Sequence, residues 1–192
     1  MKMLKEKISQ EGQNLGRGIL KIDSFLNHQV DPDLMDLIGQ EVARRFAHID
    51  PPPTRILTAE VSGIMPAVMT GKAMGNLPVV YARKHKPITM QEPVFIDTAP
   101  SHTKGGEVLL MVSPEFMLPN DRILIVDDFL ATGRTIDALG RIVHNSGATL
   151  VGIATVVEKN FEGGRAALAH WGVPIQAMAT ITNMDNGRIE VE

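Results

Sequence analysis

Asp127 and Asp128 close an apolar run, Ile123-Leu124-Ile125-Val126, and Ala131-Thr132-Gly133-Arg134-Thr135 follows shortly after. The run predicts a buried strand that carries two acidic side chains to its carboxyl end, where a small-residue turn opens a helix. Ligands of open α/β sheets bind at that edge. Gly133 and its small neighbours let backbone N–H groups approach a phosphate, and the new helix adds its positive end. Thr132 and Thr135 can add hydroxyl donors. Asp127 and Asp128 are acceptors about one phosphate-to-sugar length away, suited to a vicinal diol. A phosphate beside a diol is a ribose phosphate. A buried strand ending in a capping aspartate would account for one Asp and one Gly. It would not account for the second Asp or for Ala-Thr-Gly-x-Thr.

The elements that must position this segment alternate along the chain. Ile56–Ala59, Pro78–Ala82, Arg122–Val126, Thr149–Val157 and Pro174–Ile181 read as strands, and Ile64–Met74, Arg134–Ser146 and Gly164–Trp171 as helices between them. Strands apolar throughout and separated by helices predict an α/β fold, a mainly parallel twisted sheet buried on both faces. Residues 1–12 and 31–48 read as helical. In the latter, Leu34, Leu37, Ile38, Val42 and Phe46 form a stripe, opened by Asp31-Pro32 and closed by Pro51-Pro52-Pro53. The organisation predicted is a single domain over 1–192, with a helical N-terminal segment at 1–50 and a core at 54–182. Residues 83–106 are polar, rich in Pro and Gly and without periodicity, so a flexible loop covering the site is expected there. It leads into the strand-like Glu107–Ser113.

Composition excludes several classes of function. With a net charge of −3 there is no basic excess to draw the protein to nucleic acid. The absence of cysteine removes disulfides, thiolate catalysis and cysteine metal sites. No apolar run approaches the roughly 20 residues of a membrane span, and the charged start MKMLKEKISQEG has no signal-peptide pattern. A cytoplasmic protein is expected. The six histidines show no metal-ligand spacing.

Ile123–Thr135 resembles the phosphoribosyl-pyrophosphate signature of type I phosphoribosyltransferases nearly position for position, and the likeness runs the length of the chain. It is nearest to the bacterial xanthine phosphoribosyltransferases. The resemblance implies the type I phosphoribosyltransferase fold, with a small N-terminal base-binding lobe, or hood. It implies that Leu20, Asn27 and Lys159 contact the purine, and that Ala131 to Thr135 hold the 5-phosphate. Thr132-Gly133-Arg134-Thr135 follows the general family signature and is neutral on the base. Glu60, Ser62 and Gly63 resemble the loop that meets pyrophosphate, and Arg83 and Lys84 the basic residues that neutralise it, partly across a homodimer interface. On residue type alone, the 60–63 turn would be an ordinary strand-to-helix connection and the basic run a solvated face.

The reaction implied converts xanthine and 5-phosphoribosyl 1-pyrophosphate to xanthosine 5'-monophosphate and pyrophosphate. Asp127 and Asp128 would be the catalytic pair, and Mg²⁺ would be held mainly by the substrate rather than by a protein cage. Transfer to guanine, hypoxanthine or adenine is the alternative within enzymes. A phosphoribosyl-pyrophosphate-sensing purine regulator is the alternative outside them. The regulator would need a basic DNA-binding addition, and the roughly 50 residues before the sheet are not notably basic.

Overall fold

A computed structural model describes residues 1–100 and 106–192. The chain runs α1 (Lys2–Glu11), β1 (Gln13–Asn14), β2 (Leu20–Lys21), a π-helical turn (Asp23–Asn27), α2 (Pro32–Phe46), β3 (Arg55–Ala59), α3 (Ile64–Ala73) and β4 (Val79–Ala82). It continues with β5 (Phe95–Pro100), β6 (Glu107–Val112), β7 (Arg122–Leu130), α4 (Arg134–Asn145), β8 (Thr149–Lys159), α5 (Gly164–Ala167), β9 (Ile175–Asn183) and β10 (Glu190–Val191).

Six strands form the central sheet in the order β10-β9-β8-β7-β3-β4. All neighbours are parallel except β10, which pairs antiparallel with β9. The expected strands therefore exist, but β7, β8 and β9 run further than their apolar residues do. β7 continues through Asp127 and Asp128 to Leu130, and β8 continues to Lys159, with Leu130 opposite Glu158 in the ladder. Backbone pairing persists there after hydrophobicity has stopped, because this end of the sheet faces a cavity.

The two faces of the sheet carry separate cores. On one face α1, α2, α3 and the N-terminal turn bring Leu4, Ile8, Phe25, Ile38 and Phe46 against Ile56, Leu124 and Val126. On the other, Ile136, Leu139, Ile142 and Val143 of α4 cover Leu57, Ile123 and Ile125. Alternate residues of β3 and β7 go to opposite cores, which is why both strands are apolar throughout. Asp31 caps α2 by accepting from Leu34 N at 3.1 Å, with Pro32 at the first helical position. α2 crosses α3 at Gly39, where a Cβ would overlap the Met69 backbone and lie 2.8 Å from Thr70 N.

Three expectations need correction. Residues 83–106 are not a loop throughout: Phe95–Pro100 is a strand that pairs antiparallel with Glu107–Val112. This hairpin packs on α4, where Arg141 donates Nε to Asp97 Oδ2 at 2.7 Å and Nη2 to Asp97 Oδ1 at 2.9 Å. Residues 101–105 of the expected loop lie outside the described residues. The helix expected over Gly164–Trp171 is α5 followed by a separate 3-10 turn at Ala169–Trp171. The N-terminal segment is not only helical, since β1 and β2 form a small antiparallel ribbon before the π-helical turn. No helix among the described residues is long and apolar enough to cross a membrane.

Candidate functional site

β3 and β7 are neighbours at the centre of the sheet, but their chains leave in opposite directions. β3 passes through α3 to β4 on one side, and β7 through α4 to β8 on the other. Divergence at such a switch point leaves a crevice beyond the carboxyl ends of the strands. A cavity of about 420 Å³ opens there. It is lined by Asp127, Asp128 and the turn residues Ala131, Gly133, Arg134 and Thr135, by Glu60, Ser62, Gly63 and Lys84, and by Leu20 and Lys159.

The turn after β7 has the geometry an anion needs. Gly133 adopts φ +80°, a left-handed conformation costly for any residue with a side chain, and α4 begins at the next position. The first N–H groups of α4 therefore have no intrahelical acceptor and face the cavity end of the helix. The Thr132 hydroxyl beside them is buried without a hydrogen-bond partner among the described residues. At the turn after β3, a Cβ on Gly63 would overlap the Thr58 hydroxyl and lie 2.5 Å from Asp127 Oδ1. Only glycine lets this loop approach the carboxylate. The peptide between Glu60 and Val61 is cis.

Neighbouring strand residues point to opposite faces, so Asp127 and Asp128 meet different surroundings. Asp127 is 5% exposed and sits by the Gly63 loop. Burial, reinforced by the adjacent Asp128 carboxylate, pushes its pKa well above the ordinary carboxylate value. Burial also raises Asp128. N–H donation from Phe129 at 2.9 Å and from Asn27 Nδ2 at 2.9 Å opposes that rise, as does the charge of Lys84. The site thus stores two desolvated carboxylates that a cationic ligand would stabilise.

The remaining expected residues fall into three arrangements. Asn27 does not line the cavity; its amide holds Asp128 Oδ2 from the end of the π-helical turn. Arg83 also lies off the cavity, in an adjoining groove, and pairs with Glu60 Oε2 at 2.8 Å. Glu60 Oε1 accepts from Lys84 N at 2.6 Å, so this carboxylate ties the end of β4 to the turn after β3. Lys159 lines the cavity, donates to Gly18 O at 2.9 Å and pairs with Glu162 Oε1 at 2.6 Å. Its ammonium stands 5.9 Å from the Phe129 ring centroid.

Sequence reasoning passed over Phe129, Ile19 and Ile136, which supply apolar lining. Phe129 was legible as the residue beside the acidic pair, but nothing in the linear pattern aimed its ring at a ligand. No cluster of three or more His, Asp or Glu able to hold a metal occurs among the described residues. The two Asp carboxylates are hard oxygen donors of the kind magnesium takes.

Residues 31–169 match the phosphoribosyl transferase domain. The chain belongs to the phosphoribosyltransferase family. It is 47% identical over 187 residues to the xanthine phosphoribosyltransferase of Deinococcus deserti, covering 97% of this chain and 95% of that one. With the xanthine phosphoribosyltransferase of Latilactobacillus sakei it shares 43% identity over 189 residues, covering 98% and 95%. Among solved structures it superposes on APRTase from Giardia lamblia complexed with 9-deazaadenine with a TM-score of 0.75, at 19% identity, over 94% of this chain and 98% of the other. At that identity the likeness is one of fold. This phosphoribosyltransferase therefore has the type I α/β architecture, a mostly parallel sheet flanked by helices.

Proposed function

We propose that this phosphoribosyltransferase transfers the phosphoribosyl group of 5-phosphoribosyl 1-pyrophosphate to xanthine, forming xanthosine 5'-monophosphate and pyrophosphate in the cytoplasm. The observation carrying the reading is one cavity lined by the small-residue turn that opens α4, by the paired carboxylates of Asp127 and Asp128 and by the Lys159 ammonium. Identity of 47% across nearly the whole chain with a xanthine phosphoribosyltransferase supports the base.

Breaking the anomeric bond builds positive charge on the ribose ring and negative charge on the leaving pyrophosphate. The protein's task is to hold the reactants in register and stabilise that separation. Ala131, Thr132, Gly133, Arg134 and Thr135 hold the 5-phosphate through backbone N–H groups and hydroxyls. Asp127 and Asp128 accept from the ribose hydroxyls and lie where a cationic ring relieves their own desolvation. Asp127 and Asp128 are the carboxylates that would meet a magnesium ion, which would supply charge neutralisation to the leaving group. Ser62, Gly63 and Lys84 receive the leaving group, with Glu60 and Arg83 holding the loop that carries them. A homodimer brings basic residues of one copy toward the other's cavity.

At the base end, Leu20 and Phe129 offer apolar surface to a planar ring. Lys159, a donor only, suits the C6 oxygen shared by xanthine, guanine and hypoxanthine and disfavours the C6 amino group of adenine. One mismatched buried hydrogen bond changes specificity by about ten- to a hundredfold. Steady-state rates of pyrophosphate release with the four bases test the assignment. Xanthine is expected to give the highest kcat/KM and adenine no detectable turnover; a preference for adenine would overturn the base assignment.

A further inference from the structure

We propose that the short segment from Lys159 to Gly164 is a strut with one positioning residue for each substrate: Glu162 aims Lys159 at the purine, and Gly164 seats the turn that holds the 5-phosphate. The inference deepens the proposed function and rests on it for the identity of the two ligands.

An ammonium group has three N–H donors. Gly18 O takes one at 2.9 Å, and Glu162 Oε1 forms an ion pair with the same ammonium at 2.6 Å, beside the cavity that Lys159 lines. The Lys159 and Glu162 side chains are 13% and 24% exposed, so the pair is largely out of water and solvent screens it little. A lysine on its flexible stem otherwise samples many directions. The carboxylate removes that freedom, and the bond to Gly18 ties the same ammonium to the turn before β2.

The other end of the segment meets the phosphate turn through backbone. Gly163 takes φ +77° and turns the chain inward. Gly164 N then donates to Ala131 O at 3.0 Å. A Cβ at 164 would overlap Ala131 O, lie 2.7 Å from the Leu130 side chain and come within 2.9 Å of Gly133 N. Any side chain there must push the turn toward the space a phosphate would fill. Between the two ends lies a fork: Glu158, 3% exposed, accepts from the half-exposed Arg165 through Nε at 2.8 Å and Nη2 at 2.5 Å. With β8 and α5 clamped together, a change at Glu162 reaches Lys159 and a change at Gly164 reaches the turn.

The test is a pair of variants assayed at steady state with an oxopurine and phosphoribosyl pyrophosphate, after circular dichroism has established that each is folded. Glu162→Ala is expected to raise KM for the base about tenfold, the scale of one misplaced buried hydrogen bond, with KM for phosphoribosyl pyrophosphate within about twofold. Glu162→Gln keeps an acceptor and should recover most of the loss. Gly164→Ala should do the reverse, about tenfold on phosphoribosyl pyrophosphate and within about twofold on the base. Should Gly164→Ala not fold, Arg165→Lys, which loosens the fork from the same side, is expected to raise KM for phosphoribosyl pyrophosphate about threefold and leave that for the base unchanged. Variants that raise both constants together, or neither, would overturn the strut. If the wild-type protein turned over no oxopurine, the proposed function would fall. Calorimetric titration of phosphoribosyl pyrophosphate with Mg²⁺ into wild type and Gly164→Ala would still decide the phosphate end, where equal affinities refute the strut and binding about tenfold weaker supports it.

Discussion

Replacing Asn27 with alanine separates two roles that the residue can have. As a base contact alone, Asn27 would alter the ranking of purines and little else. In the structure its amide donates to Asp128 Oδ2 at 2.9 Å, across 101 residues of chain. The donor is presented by a turn anchored on buried Phe25 and Leu26, so it is held in place rather than freely rotating. A hydrogen bond to a charged group contributes about 1.5–3 kcal/mol. If Asp128 needs its charge when the ribose becomes cationic, the loss appears in the barrier, and each 1.36 kcal/mol is about tenfold in rate. Asn27→Ala should therefore lower kcat about ten- to a hundredfold for every base that wild type uses. The same donation opposes the upward push of burial on the Asp128 pKa. Its removal lets that pKa rise further, and the acidic limb of the kcat/KM profile should move to higher pH. Steady-state rates with xanthine, guanine and hypoxanthine between pH 5 and pH 9 provide the measurement. A variant whose kcat stays within about twofold of wild type for all three bases, with an unmoved acidic limb, would refute the role assigned through Asp128.

Asp128→Asn should leave the fold intact and reduce turnover by orders of magnitude, since it removes charge beside a developing cation; near-wild-type kcat in a folded variant would contradict this. Asp127 has a folded pKa raised by burial, so the native state binds its proton more tightly than the unfolded chain does. Stability from this group is present at low pH and lost as pH rises through the raised value. Asp127→Asn should accordingly raise the urea midpoint of the ligand-free protein more at pH 8 than at pH 4, and an equal or lower midpoint at pH 8 would refute it. Arg141→Ala removes the two bonds to Asp97 and the longer one to Thr98 O that fasten β5 to α4. With the arginine 42% exposed, the loss should be only about 1 kcal/mol, but amide exchange in Phe95–Pro100 should accelerate, and unchanged exchange there would show that the pair fastens nothing. Sedimentation should find a homodimer; a monomer fully active at assay concentration would exclude shared basic residues.

The stretch from Ile123 to Thr135 was readable because a buried strand, an acidic pair and a small-residue turn each leave a mark in one dimension. The parallel sheet was readable for the same reason, since strands buried on both faces have no polar alternation. β5 was not, because Phe-Ile-Asp-Thr-Ala-Pro has an acid and a proline where a strand is usually apolar, and its dock on Arg141 is distant in sequence. The ends of β7 and β8 were drawn short for a related reason: the ladder continues through Asp127, Asp128 and Glu158, whose polarity belongs to the cavity and not to the strand. The anchoring of Lys159 by Glu162, of Asp128 by Asn27 and of the 60–63 turn by Arg83 leaves no linear signature, since each pair is made by folding.

The division of the interior into two cores on opposite faces of the sheet has an evolutionary consequence. The turn that begins α4 is supported by one core, while the N-terminal lobe that carries Leu20 and Asn27 rests on the other. Substitutions that drift through the N-terminal side can reshape the cavity near Leu20 without repacking the helix that opens at Gly133. A lineage built this way can explore new bases while its handling of the ribose phosphate is preserved. The sheet acts as a partition, behind which one half of the enzyme is free to diversify.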